Sequence, residues 1–123
     1  PISGLSESEL EPILEIAKSI TQEYQQKLIW YTPTKYCNFD PVINNLGVKG
    51  CTAALYNMCI ESNGDVLPCQ SYYTSLGNIL EDSWDSIWNH DLSRSLRERK
   101  NISSKCKNCS LLVECGAGCP LTN

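Results

Sequence analysis

Leu10, Ile13, Leu14, Ala17, Ile20 and Tyr24 recur at three- and four-residue steps. That spacing lines one face of an α-helix. Ser6-Glu7-Ser8-Glu9 and Ser8-Glu9-Leu10-Glu11 both match the capping-box pattern that opens a helix. Pro12 favours the later start, because proline is tolerated in the first turn and not beyond it. The helix is predicted to end near Gln25-Gln26. Lys27 to Thr32 is a short apolar and aromatic run that predicts a strand, with Pro33 ending it.

Residues 33–50 carry Pro33, Pro41, Asn44-Asn45, Gly47 and Gly50 and no periodic apolar positions, so they read as irregular. Leu55–Ile60, the turn Ser62-Asn63-Gly64-Asp65 and then Val66-Leu67 predict a β-hairpin. Asn and Gly tolerate the positive φ that such a turn requires. Residues 76–80 predict a further extended piece. Asp82 or Ser83 is placed to cap a helix carrying Trp84, Ile87 and Trp88. Asp91 is placed to cap a second one carrying Leu92 and Leu96. From Ser103 the chain is polar and cysteine-rich.

Composition narrows the class. Leu, Ile, Val and Phe total 29 of the 123 residues, above the roughly one-fifth below which disorder prevails. The length suits one thin core rather than two. A net charge of −4 and a pI near 4.9 argue against a nucleic-acid binder that relies on a basic face. No apolar run approaches the roughly 18 residues of a membrane span. The N-terminal residues do not form a signal peptide, which points to a cytoplasmic protein. The absence of a starting Met fits a processed product or an excised piece of a longer chain.

Eight cysteines change the picture: Cys37, Cys51, Cys59, Cys69, Cys106, Cys109, Cys115 and Cys119. With Gly64 they spell C-x12-G-x4-C, a gap, then C-x2-C-x5-C-x3-C. Two-residue spacing aims two sulfurs at one centre from a tight turn. Gly116 and Gly118 sit where backbone must pass close to a bulky group, and their N–H groups are free to donate to sulfide. Three chemistries compete for these thiols. Disulfides fit the even count, but the close Cys106–Cys109 pair and the missing signal peptide disfavour them. A four-thiolate zinc site usually shows two C-x2-C knuckles, and here the second pair is C-x3-C. Iron–sulfur ligation accounts for both the thiols and the glycines.

The pattern resembles the SPASM region of radical SAM enzymes, whose signature is C-x9–15-G-x4-C, a gap, C-x2-C-x5-C-x3-C, a gap and a final C. Every element except the final C is present. Supporting text includes Cys51-Thr52-Ala53-Ala54, Asn63 to Cys69, Leu76 to Ile79, Trp84 to Trp88 and Cys115 to Pro120. The resemblance implies an α+β fold: a small SPASM-type domain with a β-hairpin, following helices and Cys-rich metal-binding loops. That domain would span residues 37–123. Residues 1–36 are similar to the last helix and strand of a partial (β/α)6 barrel.

The resemblance further implies two auxiliary [4Fe–4S] clusters. Cys51, Cys69 and Cys119 would hold the first, and Cys106, Cys109 and Cys115 the second. Cys37, Cys59 or a substrate would complete the first, and the missing final cysteine the second. The C-x3-C-x2-C loop that serves S-adenosylmethionine in the family has no counterpart among these spacings. The chain is therefore expected to have no catalytic residue of its own. S-adenosylmethionine would bind only in an N-terminal barrel of the same protein. The parent enzyme would modify a peptide, a protein side chain or a small metabolite. The rival expectation is a zinc-stabilised, non-catalytic interaction module, and zinc is also the expected occupant of the isolated piece after aerobic expression.

Four other features carry expectations. Cys59 reads as a buried free thiol. His90, alone near a helix boundary, reads as a capping or exposed residue rather than a ligand. Trp84 and Trp88, four apart, are expected to pack in the core. Arg94, Arg97, Arg99, Lys100, Lys105 and Lys107 read as a solvated helix face, or more sharply as cations offsetting an anionic cluster.

Overall fold

The computed structural model describes residues 4–122. It divides into two compact units, Pro1–Cys51 with Asn108–Cys119, and Thr52–Lys107 with Pro120–Asn123. The architecture is mixed, five α-helices and one two-stranded antiparallel hairpin among the described residues. No helix among them is long and apolar enough to cross a membrane.

The first unit is built on α1, Leu10–Glu23. Of the two candidate capping boxes, the earlier one forms. The Ser6 N–H and hydroxyl both donate to Glu9 Oε2, at 2.8 and 2.6 Å. This opens a 3-10 turn, Glu7–Glu9, that runs straight into α1 and leaves Pro12 in the first turn. The helix stops three residues short of Gln26. Gln25 takes a left-handed φ of 52°. Gln25 N–H donates to Gln22 O at 3.2 Å and Gln26 N–H to Thr21 O at 2.7 Å. That is a Schellman closure with glutamine in the usual glycine position.

The predicted apolar stripe forms, but only Leu14 is buried; Ile13, Ile20 and Tyr24 lie open to solvent. The predicted strand Lys27–Thr32 does not form. A strand needs a neighbour to take its N–H and C=O groups, and among the described residues none lies alongside. Ile29 and Tyr31 are exposed, while Trp30 turns onto Phe39 with ring centroids 5.2 Å apart. In place of the expected helix–strand piece of a barrel, this part of the chain is a helix followed by an irregular segment.

The second unit holds β1, Cys59–Ile60, and β2, Val66–Leu67, paired as Cys59↔Leu67 and Ile60↔Val66. Gly64 turns the hairpin at φ 93°, and a Cβ there would lie 2.5 Å from Asn78 Oδ1. Only glycine meets both demands. The predicted extended piece borders the outer edge of β2. Val66 N–H donates to Gly77 O, and Leu76 N–H to Val66 O. Val66, Leu76 and Ile87 form the core here, with Met58 and Leu92 against it.

Helix α2, Trp84–Trp88, is capped by Ser83, whose hydroxyl accepts from Ser86 N–H at 3.2 Å. Asp82 instead accepts from Asn78 N–H at 2.7 Å and closes the preceding turn. Helix α3, Asp91–Arg97, is capped by His90 Nδ1, which accepts from Leu92 N–H at 3.1 Å. Asp91, expected as the cap, lies inside the helix and pairs with Arg94 at 2.6 Å. The two tryptophans do not fill the core. In a five-residue helix one face meets the core, and Ile87 occupies it at 0% exposure. Trp84 and Trp88 share another face and stack at 6.1 Å, with Trp84 half exposed. Two short helices in the cysteine-rich segment were not anticipated: α4, Ser104–Lys107, in this unit and α5, Leu112–Cys115, in the first.

Candidate metal centre

None of the eight cysteines forms a disulfide. Cys37 and Cys109 are exposed, Cys115 is buried, and Cys51, Cys59, Cys69, Cys106 and Cys119 are partly covered. Cys59 is thus half-open rather than buried, with its sulfur 4.0 Å from Glu61 Oε1. It occupies the first position of β1, opposite Leu67, at the margin of a two-residue strand that shields little. Among the described residues, no three His, Cys, Asp or Glu side chains are assembled as a ready metal site.

The local backbone around the thiols is nonetheless specific. Cys115 ends α5, and Gly116, Ala117 and Gly118 follow with left-handed φ of 64°, 66° and 76°. The two glycines take this conformation freely. Ala117 does not, and its burial at 2% exposure shows that packing holds it there. Three left-handed residues in succession turn the chain between Cys115 and Cys119, and Gly118 N–H donates back to Cys115 O at 3.3 Å.

Close packing explains two glycines of the first unit. A Cβ on Gly118 would lie 3.2 Å from Lys35 N and 3.3 Å from Thr34 C. A Cβ on Gly50 would lie 3.1 Å from Glu114 O. The backbone just before Cys51 therefore runs against the backbone just before Cys115. The segment Thr34–Tyr36 completes this packing. Its Tyr36 N–H donates to Cys115 Sγ at 3.4 Å, and Cys115 Sγ lies 3.7 Å from Thr34 O. Thr34 and Tyr36 carry no local mark of this pairing, because 79 residues separate Tyr36 from Cys115.

In the second unit, Ala54 N–H donates to Pro68 O at 2.9 Å, which ties the turn after Cys51 to the residue before Cys69. Arg97 holds the other side of that turn through Ala54 O at 3.0 Å. The basic stretch is thus not uniformly solvated. Arg94 and Lys100 are committed to surface ion pairs with Asp91 and Glu98, whereas Arg97 is drawn inward.

The donor set suits an iron–sulfur centre, because thiols are the ligands that such iron takes. Residues 51–110 match the model of the SPASM family, described as an iron-sulfur cluster-binding domain. Cys51, Cys69, Cys106 and Cys109 fall within that match, and Cys115 and Cys119 follow it. The chain is also 35% identical over 72 residues to the AdoMet-dependent heme synthase of Methanosarcina barkeri (strain Fusaro / DSM 804). That similarity covers 58% of this chain and 20% of the relative, so the chain spans about a fifth of the length of the curated protein it matches. No solved structure matches. On the cysteine pattern, the hairpin around Gly64 and these two likenesses together, residues 51–110 are similar to a SPASM iron–sulfur cluster-binding domain.

Proposed function

We propose that this region holds auxiliary [4Fe–4S] clusters for a radical SAM enzyme, where they pass electrons or position the substrate. The observation that carries the reading is the spacing of six cysteines around Gly64, four of them inside the match to an iron–sulfur cluster-binding domain. Cys51, Cys69 and Cys119 are assigned to one cluster, and Cys106, Cys109 and Cys115 to the other. Cys37, exposed on a loop, is the offered fourth thiolate of the first cluster.

Such clusters supply one-electron chemistry when bound. The chain's own residues supply the thiolates, the turn at Gly116–Gly118 and the fixed backbone before Cys69. Ile13, Ile16, Ile20 and Tyr24 stand exposed along α1. This supports docking of that face on the N-terminal barrel of the same protein, which would bind S-adenosylmethionine. The substrate in this reading is a peptide, a protein side chain or a small metabolite.

Anaerobic reconstitution followed by metal and sulfide analysis tests the proposal. Iron and acid-labile sulfide are expected near 4:4 per cluster. Stoichiometric zinc without iron would replace the reading with that of a zinc-stabilised interaction module.

A further inference from the structure

Cys115 is the most enclosed of the eight cysteines, and main chain encloses it. The Tyr36 N–H lies 3.4 Å from its sulfur and the Thr34 carbonyl 3.7 Å away. The strap that presents these two groups is anchored three times within its own unit. The buried Thr34 hydroxyl donates to Phe39 O at 2.9 Å. The Tyr36 ring is buried, and its hydroxyl accepts from Lys49 N–H at 2.9 Å. Lys35 N–H donates to the Glu7 carboxylate at 3.0 Å, while its backbone rests on Gly118. These anchors fix the Tyr36 N–H where it meets the sulfur.

From this arrangement we infer that Tyr36 is a positioning residue for an iron–sulfur centre at Cys115. Its N–H hydrogen-bonds the cysteine sulfur, and its ring and hydroxyl hold that N–H in place. The inference rests on Cys115 being a cluster ligand. In the thiol state, Cys115 S–H donates to Thr34 O and its sulfur accepts from Tyr36 N–H. On ligation the thiol proton leaves to solvent and the sulfur bonds iron. The bond to Thr34 is lost, and the one from Tyr36 strengthens because its acceptor now carries negative charge. A donor on a ligand sulfur favours the more negative, reduced cluster and so raises its reduction potential.

The test is an EPR-monitored redox titration of the anaerobically reconstituted protein. Tyr36→Phe deletes the hydroxyl anchor, Tyr36→Ala the ring as well, and Tyr36→Pro the N–H itself. The midpoint of one cluster is expected to move to more negative potential in all three, furthest in Tyr36→Pro. The other cluster should keep the wild-type midpoint. Should Tyr36→Pro fail to load iron, Tyr36→Phe and Tyr36→Ala decide. Unchanged midpoints in iron-replete variants, or equal shifts of both clusters, would overturn the role of Tyr36. Cys115→Ser supplies the separate control. If it leaves both EPR signals and the iron content intact, the ligand assignment itself is wrong, and the inference goes with it.

Discussion

Arg97 lays its guanidinium 4.2 Å from the centroid of the Trp88 ring and donates to the Trp88 carbonyl at 2.7 Å. A second donor of the same fork reaches Ala54 O at 3.0 Å, 43 residues away in sequence. One side chain thus joins the end of α3, the end of α2 and the turn that follows Cys51. Ala54 is fully buried at φ 56°, so its peptide sits in a strained conformation that outside contacts must hold.

Arg97→Ala is expected to destabilise the protein by about 2 kcal/mol, the combined scale of a partly desolvated cation–π contact and two hydrogen bonds to carbonyls. Arg97→Lys should recover less than half of this, because an ammonium cannot span both carbonyls as the planar fork does. Urea unfolding of the three proteins checks the ranking. Equal stability of Arg97→Lys and wild type would show that charge alone matters.

Gly64→Ala combines a φ of 93° with a Cβ 2.5 Å from Asn78 Oδ1. Either Asn78 shifts, breaking its bonds to Asn63 O and Asp65 Oδ1, or the turn opens. A loss of roughly 2 kcal/mol or more is expected from backbone strain and broken hydrogen bonds together. Amide exchange should quicken at Glu61, whose N–H donates to Asp65 O, and at Ile79, whose N–H donates to Gly64 O. Unchanged protection at both amides would refute the account.

The Ser6 hydroxyl, and then the Ser6 main-chain N–H, hold the Glu9 carboxyl below its ordinary value of 4.5. A carboxyl depressed on folding contributes stability above its unfolded pKa and loses it as pH falls through the folded one. The start of α1 should therefore loosen on the acid side of about pH 4.5, and the neutral range should be flat. Asp91 beside Arg94 and Glu98 beside Lys100 act in the same direction. All three groups are fully exposed, so the effect is small and screened by salt. NMR of the Ser6 amide across this range is the measurement. Glu9→Gln, which keeps an acceptor but no titrating charge, should flatten it.

Interleaving of the two proposed clusters gives the sharpest test of the ligand sets. Cys69→Ser and Cys119→Ser are each expected to damage the same cluster, and Cys109→Ser the other, by Mössbauer or EPR counting. If Cys119→Ser behaves as Cys109→Ser does and spares the Cys69 cluster, the four C-terminal cysteines share one centre instead. In a zinc-loaded protein, chelation should loosen residues 103–120 and leave α1 largely protected by amide exchange.

What could be read from residues in order was whatever depends on near neighbours. The hairpin was legible at its turn, where Gly64 takes the positive φ, although Asn63 does not and the first strand is Cys59–Ile60 rather than Leu55–Ile60. The turn after Cys115 is favoured locally because Gly116 and Gly118 adopt left-handed backbone without strain. Helix α1 declared itself by its period, and the spacing of thiols around Gly64 carried the likeness to an iron–sulfur cluster-binding domain, since ligand spacing is a property of the chain itself.

Tertiary structure decided the remainder. Lys27–Thr32 has the composition of a strand, but pairing is a relation between segments, and no neighbouring strand lies beside it among the described residues. Trp84 and Trp88 are the larger apolar groups, yet Ile87 fills the core because a short helix presents a single face to it. Arg97 looked like one of several surface cations until folding brought Ala54 and Trp88 within reach of its fork. Cys115 looked like its neighbouring thiols; only long-range packing sets the Tyr36 N–H on its sulfur, a contact that no local pattern encodes.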